Sequence, residues 1–99
     1  MAGYLVAHIE ITDADAFKAY RAAVPAVIAK FGGRYLVRGG ETEVREGEWP
    51  ASRLVIVAFD SVDQARRFYE SPEYQEILPL RLNASRGTLA IVDGIESAA

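Results

Sequence analysis

The chain has no cysteine, one histidine and one tryptophan among 99 residues. Without cysteine there is no disulfide framework and no thiolate metal site, and a reducing compartment is the straightforward expectation. Basic residues are also scarce: eleven Lys and Arg against fourteen Asp and Glu give a net charge of −3. Neutralising phosphates takes a basic face, so no nucleic-acid partner is expected. No apolar run approaches the length that spans a bilayer, and no basic stretch leads into an apolar one at the start of the sequence. The expectation is a cytoplasmic protein without membrane contact. Also missing are the Gly-x-Ser-x-Gly elbow, the P-loop and the Gly-x-Gly-x-x-Gly fingerprint, which excludes the commonest nucleophile and phosphate-cradling sites. A single histidine and no dense oxygen-ligand loop predict no metal, and nothing implies a cofactor.

What is present is apolar residue, 51% of the total, enough for one domain over residues 1–99 with a small core. The organising stretch runs from Arg53 to Arg81. Leu54-Val55-Ile56-Val57-Ala58-Phe59 is short, continuous and β-branched, which suits a strand covered on both faces. Asp60-Ser61 ends it. Ser61 lies three residues before Gln64, the capping-box spacing, in which the hydroxyl accepts from the Gln64 amide while Gln64 reaches back. Ala65, Phe68 and Tyr69 recur at helical spacing. Ser71-Pro72 then stops one helix and starts another, with Ser71 as N-cap and Pro72 at the first helical position.

Ahead of this unit, Tyr4 to Ile11 is a strand with Tyr4, Val6, His8 and Glu10 on one face and Leu5, Ala7, Ile9 and Ile11 on the other. Asp13 is the N-cap of an amphipathic helix carrying the stripe Phe17, Tyr20, Val24, Val27, Ile28 and Phe31. Pro25 should kink or split it near Ala23, and Gly32-Gly33 ends it. Arg34 to Arg38 is the second strand. Gly39-Gly40 allows a bulge or sharp bend, after which Glu41 to Arg45 should continue the strand as a solvated, charge-protected edge. Glu46 to Pro50 is a loop. Pro79 marks a further irregularity, Gly87 closes the helical segment, Thr88 to Asp93 is the last strand, and Gly94 to Ala99 is a tail.

The order β-α-β-β-α-β with an antiparallel sheet is a ferredoxin-like α+β sandwich. Two helical layers cover only one face of four strands. Yet the first and third strands are apolar on both faces, with Tyr4, Val6, Leu54 and Ile56 on the second one. Leaving these in water forfeits roughly 1.5–3 kcal/mol per large side chain. A second copy of the chain covers them most economically, so the expected assembly is a homodimer, a dimeric α+β barrel.

The runs YLVAHIEITDADAFKAYRAAVPA, KFGGRYLVRGG and RLVIVAFDS…FYESPEYQEILPLR resemble the DUF1330 family, a domain of unknown function in the dimeric α+β barrel superfamily. The resemblance covers nearly the whole chain. Its most specific parts are Gly32 to Gly40 and the Ser71-Pro72-Glu73-Tyr74 turn. It implies a small cytosolic homodimer and no established reaction. Members often carry glutamates where this chain has His8 and Ala58, so a role resting on that pair of acids does not carry over.

His8 is the candidate acid–base group, because a histidine exchanges protons near neutrality. Its plainer account is a hydrogen-bonded residue lining the barrel. Arg34 and Arg38 fall on one strand face by simple alternation and form a candidate carboxylate clamp. Pairing with Glu10 or the neighbouring glutamates explains them equally well. Trp49 and Arg53 frame the return into the third strand, as a pocket wall or as packing on the partner. Tyr74 completes the candidate ligand-binding set, although Tyr20, Tyr69 and Tyr74 also sit at core spacing.

Three functions compete. One is a dimer that binds or transforms a small anionic or phenolic organic molecule in the barrel cavity beside His8, with Arg38 the nearest fixed charge. Another is a structural or stress-related dimer with a filled barrel. The third, an RNA-recognition module of the same strand order, is excluded, because RLVIVAF has neither the glycines nor the exposed aromatic pair that stack bases.

Overall fold

The structure, a computed structural model, describes residues 2–50 and 52–95. The end of the tail expected from Gly94 to Ala99, residues 96–99, lies outside the described residues. Seven elements follow one another: β1 (Gly3–Ile11), α1 (Ala14–Lys30), β2 (Arg34–Arg38), β3 (Arg53–Phe59), α2 (Val62–Glu70), α3 (Pro72–Ala84) and β4 (Ser85–Asp93). The strands form one antiparallel sheet in the order β2-β3-β1-β4. This is the ferredoxin-like α+β arrangement. No helix of the described residues is long and apolar enough to cross a membrane.

Alternation divides each central strand between two environments. Leu5 pairs with Val57 and Ala7 with Val55, whereas Tyr4, Val6 and His8 pair with Ala58, Ile56 and Leu54. Directly opposed residues project to the same side. Leu5, Ala7, Ile9, Val57 and Phe59 are buried beneath Phe17, Tyr20, Val24 and Ile28 of α1 and Phe68, Tyr74 and Leu78 of α2 and α3. Each large side chain removed from water there contributes about 1.5–3 kcal/mol. Among the described residues no helix lies over the other side of the sheet, and Val92 there remains 48% exposed.

Side-chain caps set the helix starts. Asp13 Oδ1 accepts from Ala16 N at 3.0 Å, Ser61 Oγ from Gln64 N at 3.0 Å and Ser71 Oγ from Tyr74 N at 3.1 Å. The reciprocal half of the expected capping box does not form. Gln64 Nε2 instead donates to the Phe31 carbonyl at 2.7 Å and ties the end of α1 to the start of α2. An orphan carbonyl at a helix end is the hungrier partner.

Other expectations need correction. α1 is not split at Pro25, since Val24 and Ile28 are both buried and that packing keeps the turns in one helix despite the missing N–H. α3 runs unbroken past Pro79 for the same reason, with Leu78 and Arg81 buried on either side. Residues 40–50 form no strand. Gly39, at φ +69°, donates to Leu54 O at 2.8 Å, and beyond it the polar alternation of Glu41 and Glu43 offers no apolar face to hold a ladder. At the glycines the chain bends, at Gly39, while the bulge of β2 lies earlier. Tyr35 meets Val57 but Val37 meets Ile56, so Leu36 is the extra residue of a bulge.

Finally, β4 begins at Ser85, and Gly87 lies inside it rather than ahead of it. Gly87 has φ +155° and faces Ile9, where an added Cβ would lie 1.8 Å from the His8 carbonyl oxygen. Only glycine allows that approach.

Candidate functional site

Between the sheet and its helices lies a cavity of about 50 Å3 available to the centre of a water molecule. One water needs roughly 10–15 Å3 by that measure, so the space takes a few solvent molecules or a compact ligand. Its floor is Leu5, Ala7, Val55 and Val57 of β1 and β3, and α1 supplies Phe17 and Val24. Into this apolar lining project three phenols, Tyr20, Tyr35 and Tyr74, and four guanidinium groups, Arg21, Arg38, Arg53 and Arg81.

The phenols are held by position and by burial. Tyr20 faces Tyr74 across a hydroxyl–hydroxyl bond of 2.9 Å, and both rings are buried. Burial pushes the Tyr20 hydroxyl far above its ordinary range, the Tyr74 hydroxyl adds to that, and the Arg81 charge pulls part of it back. Tyr35 is raised by burial and drawn down by Arg38 and Arg53. The Tyr20 and Tyr35 hydroxyls are therefore neutral hydrogen-bonding groups at neutral pH.

The guanidiniums grade from mouth to depth. Arg21 and Arg38 are exposed, Arg53 is half-buried, and Arg81 is only 6% exposed. Arg21 lies 5.5 Å from the Phe17 ring centroid and Arg38 lies 4.6 Å from that of Tyr35. Burial lowers the proton affinity of Arg53, and the charges of Arg21 and Arg38 lower it further. Among the described residues none of the four makes an ion pair: the acidic groups engaged in pairs are Asp15, Glu73, Glu43, Asp63 and Glu10, with other partners. Arg81 Nε is buried without any hydrogen-bond partner. An unsatisfied buried donor costs about 1–3 kcal/mol, more when charged.

The candidate residues divide between the two sides of the sheet. Arg38, Arg53 and Tyr74 meet in the helix-side cavity. His8 projects to the opposite side, where its ring lies 5.4 Å from that of Trp49 and its Nδ1 lies 3.4 Å from Ser52 Oγ. Arg38 is therefore not the charge nearest His8 on one shared face. The bulge at Leu36 is the reason. Arg34 opposes Ala58 on the His8 side, while Arg38 opposes Val55 on the helix side, so the two do not form a clamp. Nor, among the described residues, do they pair with acids as expected: Glu10 is taken by Arg86, at 3.2 and 3.1 Å, and Glu43 by Arg45 at 2.9 Å. Among the described residues no group of three or more His, Asp or Glu is placed to hold a metal ion.

Three polar members of the cavity escaped the sequence reading, Arg21, Tyr35 and Arg81. The signal for Arg81 was readable. Tyr74, Leu78 and Arg81 stand at i, i+4 and i+7, which puts a charge on the buried stripe of α3.

The architecture is shared with solved structures at low identity. A protein of unknown function from Rhodopseudomonas palustris is 16% identical, with a TM-score of 0.72 and coverage of 96% of this chain and 83% of that one. SnoaB, a cofactor-independent oxygenase from Streptomyces nogalater, is 16% identical, with a TM-score of 0.67 and coverage of 98% and 96%. HapK from Hahella chejuensis is 12% identical, with a TM-score of 0.64 and coverage of 98% and 96%. At such identities the likeness speaks to fold alone, the ferredoxin-like α+β arrangement. No curated protein matches the sequence. The family model described as "Domain of unknown function (DUF1330)" matches residues 2–95, and the chain belongs to that family.

Proposed function

We propose that the protein is a homodimer joined through the uncovered sheet face, and that each protomer binds a small anionic or phenolic organic molecule between its sheet and its helices. The observation that carries the binding half is the cavity lined by Arg21, Arg38, Arg53 and Arg81 with no carboxylate paired to any of them among the described residues. Unpaired guanidiniums beside an apolar wall suit a ligand with a charged head and a carbon body. The groups present bind and orient: arginines fix charge, and neutral phenols exchange hydrogen bonds. An oxygenase shares the fold, and that likeness assigns no reaction here. The dimer half rests on Tyr4, Val6, Leu54 and Ile56, apolar side chains that the chain's own helices leave uncovered.

Crystals soaked in a mixture of small organic acids and phenols test the binding half. Ligand density among Tyr20, Arg38 and Tyr74 is the expected result. A cavity that stays empty while the soaked compounds show no binding in solution would instead favour a structural dimer.

A second reading keeps the ligand beside His8. What favours it is the Ser52 hydroxyl at 3.4 Å and a surface hollow of about 410 Å3 whose edge includes His8, Pro50, Ser52 and Thr88. There His8 is the acid–base candidate, with Trp49 as its wall. Calorimetry on His8→Ala separates the two readings. Affinity reduced about tenfold supports the His8 site, and unchanged affinity supports the helix-side cavity.

A further inference from the structure

The ligand class can be narrowed, resting on the helix-side reading above. The charge in the cavity is not one cluster. Arg21, Arg38 and Arg53 come from α1, β2 and β3 and stand toward the mouth, two of them exposed and the third half-buried. Arg81 comes from α3 and is 94% removed from solvent, the complement of its 6% exposure, with Nε lacking any partner. Apart from these charges and the phenols Tyr20, Tyr35 and Tyr74, the lining is hydrocarbon, including Leu5, Ala7, Val57 and Leu89.

One carboxylate satisfies only one end. Inorganic phosphate brings charge but nothing for the apolar midsection. We infer that the cavity is built for a short-chain dicarboxylate, one carboxylate held by Arg21, Arg38 and Arg53 at the mouth, the other reaching Arg81 Nε beside the Tyr20–Tyr74 pair, and the methylenes lying on the apolar floor. Guanidinium–carboxylate pairs are the short, charge-assisted kind, and in a largely desolvated slot they are screened little. A ligand of a few carbons matches a cavity of about 50 Å3.

Titration calorimetry of the full chain with glutarate, pentanoate, inorganic phosphate and phenol tests this. Glutarate should bind at least about tenfold more tightly than pentanoate, which has the same number of carbons and one carboxylate fewer. Arg81→Met should bring glutarate down to the level of pentanoate and leave pentanoate unchanged, whereas Arg38→Gln should weaken both. Should Arg81→Met not fold, Arg81→Lys keeps a charge at that depth but removes the Nε–H, and glutarate alone should weaken. Equal affinity for glutarate and pentanoate, or phosphate binding as tightly as glutarate, overturns the two-ended site. Phenol binding with no response to any acid overturns the dicarboxylate while leaving a helix-side ligand site standing. If none of the four probes binds, the ligand site itself is lost along with its dicarboxylate.

Discussion

The two faces of this sheet are made from the same strands, residue alternating with residue, yet they have different fates. Toward the helices, Leu5, Ala7, Val57 and Phe59 are sealed at 5% exposure or less. Toward the other side, Tyr4, Val6, Leu54 and Ile56 are only half-covered. Composition does not distinguish the faces, because both are apolar. The helices do. They satisfy one face within the chain and leave the other to be satisfied from outside. The sealed face is also where charge has been admitted, at Arg53 and Arg81, and the half-covered face carries the one histidine. Hydrophobicity there points to assembly; polar groups on the sealed side point to a ligand.

The comparison can be broken most severely from the sealed side. Phe59→Ala, at a residue 1% exposed and packed 5.3 Å from the Phe68 ring, should cost about 3–5 kcal/mol in chemical denaturation. A loss below about 1 kcal/mol would mean that the sealed face does not carry the fold.

Ile56→Asp probes the other side. It places a charge on the uncovered face, so light scattering should report monomer or aggregate in place of dimer, while far-UV circular dichroism stays that of the parent. A soluble dimer of unchanged mass would remove that face from the interface.

Alkaline pH tests the sealed face more gently. Burial raises Tyr20 above its ordinary value of 10.0, so the folded chain keeps that proton to higher pH than the unfolded one. Stability from the neutral phenol is complete below pH ~10 and falls as pH climbs beyond it. Melting temperature followed from pH ~9 to pH ~11.5 should decline less steeply in Tyr20→Phe than in the parent. Parallel declines would acquit Tyr20.

The smallest expected effect lies away from both faces. Ser61→Ala should cost about 0.5–2 kcal/mol by loss of the α2 cap and leave the dimer intact. An unchanged denaturation midpoint would show that the bond from Gln64 N to Ser61 Oγ contributes nothing.

Much of this architecture was legible in the residues. Period-two alternation in Tyr4 to Ile11 and the serines at 61 and 71 specify strand faces and helix starts, because those signals are local. What escaped depends on partners distant in sequence. Pro25 and Pro79 read as breaks, but buried neighbours hold the helices through them. Gly87 read as a stop, but its lack of a side chain answers the His8 carbonyl on the adjoining strand. The candidate site fared similarly. Arg38, Arg53 and Tyr74 were picked out and do meet, but the reading joined them to His8 and Trp49 across a sheet that keeps them apart. Arg21 and Arg81 were passed over as helix charges.

The bulge in β2 has a further consequence. With Leu36 standing unpaired against β3, every side chain after it changes parity, so Arg38 rather than Val37 borders the cavity. The chemistry of that wall is encoded by a count as well as by identities. Exchanging Leu36 for another residue alters a patch of surface already 52% exposed. Adding one residue while the bulge holds would set Val37 in place of Arg38, a methyl pair for a cation, with no substitution at any residue lining the pocket, whereas deleting Leu36 would straighten the strand and leave Arg38 opposite Val55.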